Sequence, residues 1–238
     1  MLRRILITLL ATVWIALILF ALCFFGLWIP NAPSRAKYTV RGIDVSHHQG
    51  NIDWARVKSS GIQFAYIKAT EGAEFKDGEF IRNWNAAAAA DLKHGAYHFF
   101  HLEISGEKQA ANFIATVPDD ANALPPVIDL EFSGHNKDRR PATEAFLRDL
   151  SSFWDAIVSR YRKIPVVYTA SDFQKQYLAQ MPVERLWIRE IVTSPPPSWT
   201  IWQFSSRGRV HGVPGFVDLN VFNGTLVDFE KFRQAQNQ

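Results

Sequence analysis

Apolar and polar positions divide this chain into two unlike parts. From Ile5 to Ile29 no charged residue interrupts an apolar run. Twenty-five residues of helix would span about 37 Å, enough to cross a hydrocarbon core with some tilt. From Arg41 onward short apolar runs alternate with amphipathic ones, predicting strands over 42–46, 64–68, 96–100, 127–131 and 165–169. Helices are predicted between them over 54–59, with Asp53 as N-cap, and over 79–93, 106–117 and 143–162, with a further one over 171–180 ended by Pro182. The pattern then contracts: strands over 186–189, 201–204 and 216–219 are separated by loops rich in Pro and Gly. A stretch holding Pro195, Pro196 and Pro197 has no room for a packed crossover helix.

Strands that are continuously apolar and alternate with helices predict an α/β fold with a parallel sheet or barrel. Residues 41–238, about 198 in all, fall just below the usual size of a complete eight-fold barrel. Five βα units followed by three strands with few helices fit that length. The fold expected is an irregular TIM-like barrel preceded by one transmembrane helix. Its parts are an anchor over 1–29, a linker over 30–40 and a catalytic domain over 41–238.

Charge and cysteine content refine this picture. The formal net charge of +3 comes from the N-terminal part, because residues 1–40 carry Arg3, Arg4, Arg35 and Lys37 and no acid. The remaining 22 basic and 23 acidic residues nearly balance, so no basic face for nucleic acid is expected. The lone Cys23 lies in the apolar run, which leaves the rest without disulfide or thiol nucleophile. Arg3 and Arg4 ahead of the span place the N-terminus in the cytoplasm and the barrel outside. The apolar run is long for a signal peptide and its exit is a poor cleavage site, so a retained single-pass anchor is expected over a cleaved signal.

Candidate chemistry gathers at the strand ends, where barrels of this kind place their sites. Asp129 and Glu131 stand two apart, on one face of a strand and about 6.6 Å from each other. Such a pair ionises unequally, giving a proton donor beside a persistent anion, as cleavage of a glycosidic bond requires. Asp44 ends the first strand and Asp218 the last, and these strands adjoin in a closed barrel. Tyr97, Tyr168, Trp187 and Trp202 are expected near the same mouth, where aromatic rings with polar tips stack on sugars; for Trp187 and Trp202 a place in the core is an equal alternative, and the tyrosines are favoured. His98 must face away from Tyr97, and His47 and His48 are adjacent loop residues, so no metal and no cofactor are expected.

These residues fall into an ordered pattern. Asp44-Val45 and Gln49-Gly50 precede Tyr66-Ile67-Lys68-Ala69-Thr70-Glu71-Gly72; Gly95-Ala96-Tyr97-His98-Phe99, the Asp129–Glu131 pair and Tyr168-Thr169 follow. Trp202-Gln203-Phe204 and the block from Gly212 through Asp218, Asn220 and Gly224 close it. Over 41–226 the chain resembles family 25 glycoside hydrolases, the N-acetylmuramidase lysozymes. The resemblance implies that Glu131 is the general acid, that Asp129 assists the 2-acetamido group of the sugar, and that Asp44 and Asp218 polarise the site. It implies substrate contacts at Tyr97, Tyr168, Lys68, Glu71 and Trp202, and peptidoglycan strands as the partner; it says nothing of oligomeric state. The chain departs from the family at Arg189 and Glu190, where relatives commonly carry a small residue and an aromatic, so an altered subsite is expected. Wall-binding repeats common in relatives do not follow the barrel here, and the anchor is expected to supply localisation instead.

Two rival readings are weighed against this one. A chitinase-like barrel usually has further acids two and five positions before the first of the pair, where this chain has Val127 and Leu124. A catalytically silent, membrane-tethered glycan-binding module would be signalled by loss of Asp129 or Glu131, and both are present.

Overall fold

A computed structural model describes residues 1–179, 181 and 183–234. The predicted helix end at Gln180 and Pro182 therefore lies outside the described residues. Helix α1 (Leu2–Phe24) projects from the barrel, which it meets at its C-terminal end, with most of its apolar side chains exposed, and it is long and apolar enough to cross a membrane. It stops before Ile29, because Phe25 leaves the helix and Gly26 turns into the left-handed region at φ 66°.

Eight strands close into a barrel. They are β1 (Arg41–Val45), β2 (Phe64–Glu71), β4 (Lys93–Phe99), β5 (Val127–Leu130), β6 (Val166–Ala170), β7 (Leu186–Arg189), β8 (Ile201–Gly208) and β9 (Val217–Phe222). The short β3 (Phe75–Lys76) forms a hairpin on the end of β2, and pairing of β1 with β2 completes the circle. Helices α2 (Trp54–Ser59), α3 (Phe80–Ala89), α4 (Gly106–Ile114), α5 (Thr143–Tyr161) and the short α6 (Ser171–Phe173) follow β1, β3, β4, β5 and β6 in turn. A π-helical turn over Gln174–Leu178 continues α6, and no helix separates β7, β8 and β9. This is the five-plus-three arrangement expected from spacing.

Alternation along each strand builds two cores. Ile43, Ala65, Ile67, Ile128 and Val167 face outward and pack beneath Trp54, Phe80, Phe113, Phe146 and Phe153 of the helices. Phe64, Tyr66, Val127, Tyr168 and Trp187 face inward. The final helix, α7 (Leu226–Gln234), plugs this inner core with Phe229 and Phe232. Its start is fixed by mutual capping, in which Thr225 N donates to Asp228 Oδ2 (3.0 Å) and Asp228 N donates to Thr225 Oγ1 (3.2 Å).

The structure corrects two expectations. Strand β9 runs antiparallel to both β1 and β8, whereas a parallel barrel was expected. Helix α3 ends at Ala89 rather than near Lys93, because Asp91 takes the left-handed turn at φ 53° that reverses the chain. Gly95 lies inside β4, where a Cβ would come within 2.5 Å of the Tyr66 ring. Its lack of a side chain makes room for an inner-core aromatic.

Candidate active site

The parallel strands end around a cavity of about 360 Å³ whose lining includes Asp44, Tyr97, Asp129, Glu131, Tyr168, Trp187, Arg189 and Asp218. The four carboxylates singled out from sequence thus share one cavity. Asp44 and Asp218 are direct register partners on β1 and β9. Because β9 is antiparallel, Asp218 stands at the beginning of its strand, and that end is the one at the mouth.

Asp44 is held by two amides. Its Oδ2 accepts from Asn220 Nδ2 (2.7 Å) and Gln203 Nε2 (3.2 Å). Each amide is oriented from behind: Trp187 Nε1 donates to Asn220 Oδ1 (2.9 Å), and the Tyr168 hydroxyl donates to Gln203 Oε1 (2.9 Å). Loss of hydration pushes the Asp44 carboxyl up to about 6, the nearby Glu131 charge adding to this while the amides and Arg189 oppose it. Asp218 is pushed further, to about 8, by desolvation and then by Asp44.

Asp129 is 8% exposed. Burial, reinforced by Glu131, raises its carboxyl well above the usual range, and Lys68 only partly opposes the rise. Its Oδ1 is buried and has no hydrogen-bond partner among the described residues. Glu131, one residue past the end of β5, accepts at Oε1 from the Ser133 hydroxyl (2.6 Å). Asn136 secures the turn beneath by donating to Phe100 O (2.7 Å) and Glu131 O (3.3 Å).

The expected substrate contacts divide. Tyr97 and Tyr168 line the cavity, and Trp187 forms its floor against Tyr66 (5.1 Å between ring centroids). Trp202 does not reach the mouth. Its neighbour Gln203 points inward, so Trp202 points out, packs on Trp199 (5.9 Å) and donates to Glu190 O (2.8 Å). Lys68 and Glu71 are also placed otherwise than expected, since neither lines the cavity. They pair with each other (2.6 Å) while Glu71 meets His101 (2.9 Å), contacts that hold the Glu71 carboxyl down at about 2, His101 foremost. His98 faces outward between Thr70 (2.7 Å) and Gln109 (3.1 Å), as its position beside Tyr97 required. Arg189 faces the cavity, whereas Glu190 turns aside to Ser171 (3.3 Å).

The raised carboxyls set a pH dependence of stability. A group whose folded pKa is raised binds its proton more tightly in the folded chain. The stability it contributes is complete below the unfolded value of about 4 and is lost as pH rises through the folded one. For Asp218 that window runs from about 4 up to about 8. Asp218→Asn should therefore melt like wild type at about pH 4 and at a higher temperature than wild type at about pH 9. Thermal unfolding at the two pH values checks this; equal melting temperatures at high pH would refute the burial of charge argued here.

Comparison with known proteins agrees with this geometry. The glycosyl hydrolases family 25 profile matches residues 43–213. The chain belongs to that family. It is 39% identical over 208 residues to YegX of Escherichia coli K12, covering 83% of this chain and 74% of YegX. It is 35% identical over 204 residues to Lysozyme M1 of Streptomyces globisporus, covering 78% and 68%. The solved family 25 glycosyl hydrolase of Bacillus anthracis superposes with a TM-score of 0.80 at 36% identity, covering 85% of this chain and 97% of that one. The chain is thus a glycosidase on a family 25 barrel. Gln203 and Asn220, which hold Asp44, stood in the family pattern without a role, and Ser133, which holds Glu131, was not singled out; what a neutral side chain holds becomes visible only when its neighbours are in place.

Proposed function

We propose that this cleft hydrolyses the β-1,4 bond between N-acetylmuramic acid and N-acetylglucosamine in peptidoglycan. The observation that carries the reading is the unpartnered, buried Oδ1 of Asp129 on the cavity wall, two residues from Glu131. Leaving such an atom unsatisfied costs about 1–3 kcal/mol, so a ligand donor suits it. The N–H of a sugar 2-acetamido group is a donor of that kind. Held there, the acetamido group would present its carbonyl oxygen to C1 of its own ring.

In this mechanism the pair starts with one proton, as the raised carboxyl of Asp129 favours. Glu131 delivers it to the leaving glycosidic oxygen as the acetamido oxygen bonds to C1 and the C1–oxygen bond breaks. The positive charge spread over the new ring is balanced by ionised Asp129. Water then attacks C1, its proton returns to Glu131, and the acetamido group is released. Asp44, whose carboxyl ionises above about 6, adds negative potential on the opposite wall, where Asp218 keeps its proton up to about 8, and Tyr97 and Tyr168 give the sugar a surface to rest on.

Helix α1 is read as a retained anchor with the N-terminus in the cytoplasm and the barrel on the outer side. Arg3 and Arg4 before the apolar span support that orientation. Release of soluble fragments from purified peptidoglycan by the full chain in detergent tests the hydrolytic reading. Binding without release would favour a catalytically silent glycan-binding module.

A further inference from the structure

The segment expected to be a linker is bound to the barrel at several points. Asn31 Nδ2 donates to Glu190 O (3.2 Å) and Thr193 O (2.6 Å), Pro33 is buried, and the Tyr38 ring packs on Trp199 (5.5 Å) and Trp202 (6.5 Å). Trp202, absent from the mouth, serves here as the surface on which this strap lies. A free chain of about 16 residues would let the barrel wander by roughly 20–24 Å. A bound strap removes that freedom.

The end of α1 is fixed as firmly. Arg207 Nε donates to Phe24 O and Arg209 Nε to Phe25 O, each at 2.7 Å, so two guanidinium groups cap carbonyls left open at the helix end. The Arg207 guanidinium lies 4.3 Å from the centres of both the Phe24 and Phe216 rings. Gly26 sits so close to the same hairpin that a Cβ would lie 1.9 Å from Arg207 O, and its φ of 66° disfavours other residues as well. These features form a joint between helix and barrel.

The joint is at the rim of the active site. Ser206, which lines the cavity, adjoins Arg207, and Asp218 lies two residues beyond Phe216. One residue of strand is about 3.3 Å, so cleft and helix exit are separated by little more than a side chain.

We propose that the joint holds the cleft at the bilayer surface, and that the enzyme cuts glycan strands emerging from the same membrane, uncrosslinked and still linked to lipid pyrophosphate, close to their lipid end. The proposal rests on the muramidase reading and on α1 as a retained anchor. A loosely tethered barrel would instead cut at scattered distances from the membrane.

The full chain reconstituted in liposomes of phosphatidylethanolamine and phosphatidylglycerol, bearing such lipid-linked glycan, provides the test. The readout is the length distribution of stubs left on lipid. Wild type should leave short, narrowly distributed stubs. Gly26→Leu, and separately the pair Arg207→Ala and Arg209→Ala, should broaden the distribution and lengthen the mean stub by about twofold or more, following the reach of a freed linker. All should cut lipid-free glycan in solution at the wild-type rate. Scattered stubs from wild type, identical distributions in wild type and both variants, or recovery from membranes of a chain lacking α1 would overturn the proposal. Absence of cutting on lipid-free glycan would instead fail the muramidase reading itself.

Discussion

Glu131→Gln is expected to lower turnover of peptidoglycan by about 10²–10⁴-fold while glycan binding stays within a few-fold of wild type. The amide is nearly the same size as the acid and can still meet the Ser133 hydroxyl, which donates to Oε1 in the wild-type site (2.6 Å). It carries no proton acidic enough for the leaving oxygen. Loss should therefore fall on kcat rather than KM, as when an interaction made only in the transition state is removed. Steady-state release of reducing ends, with pull-down on insoluble glycan as the binding measure, separates the two. Lysis at the wild-type rate would take the acid role away from Glu131.

Asp129→Asn should cost about 10²–10³-fold in kcat, the scale of removing a group that stabilises charge developing in the transition state. The test of its specific role is a cycle between residue and substrate. On glycan whose 2-acetamido groups have been deacetylated, wild type and Asp129→Asn should become nearly equal, because the group Asp129 is proposed to orient is gone. An undiminished gap on deacetylated glycan would mean that Asp129 acts independently of the acetamido group. Arg189 provides the contrast, since its cation faces the same cavity but enters neither step.

What could be read in the chain follows from how each signal arises. Asp129 and Glu131 were legible because acids two apart at the end of an apolar strand point to one face and are costly to bury there. Asp44 and Asp218 were legible because barrel closure joins first and last strands, and they prove to be register partners. The direction of β9 was open to the same reasoning. Only residues 209–216 connect it to β8, and a parallel neighbour needs a crossover of about a dozen residues or more. Trp187 and Trp202 show a different limit: both lie on strands, and a shift of one residue in phase decides between the cavity floor and the outer surface. Helix α7 escaped notice because its apolar face is only Phe229 and Phe232, too narrow a stripe to stand out until the open barrel end it plugs is known. The Tyr168–Gln203–Asp44–Asn220–Trp187 network draws on five different strands, so no local pattern announces it.

The most direct test of the central reading is the identity of the new reducing ends. Full-length protein in detergent would be incubated with purified peptidoglycan, and the released fragments reduced and analysed by mass spectrometry. Reducing N-acetylmuramic acid is the predicted result, placing the cut where Asp129 and Glu131 are proposed to act. Reducing N-acetylglucosamine would contradict it, moving the cut to the other linkage and directing attention to Arg189 as the residue that changed the subsites.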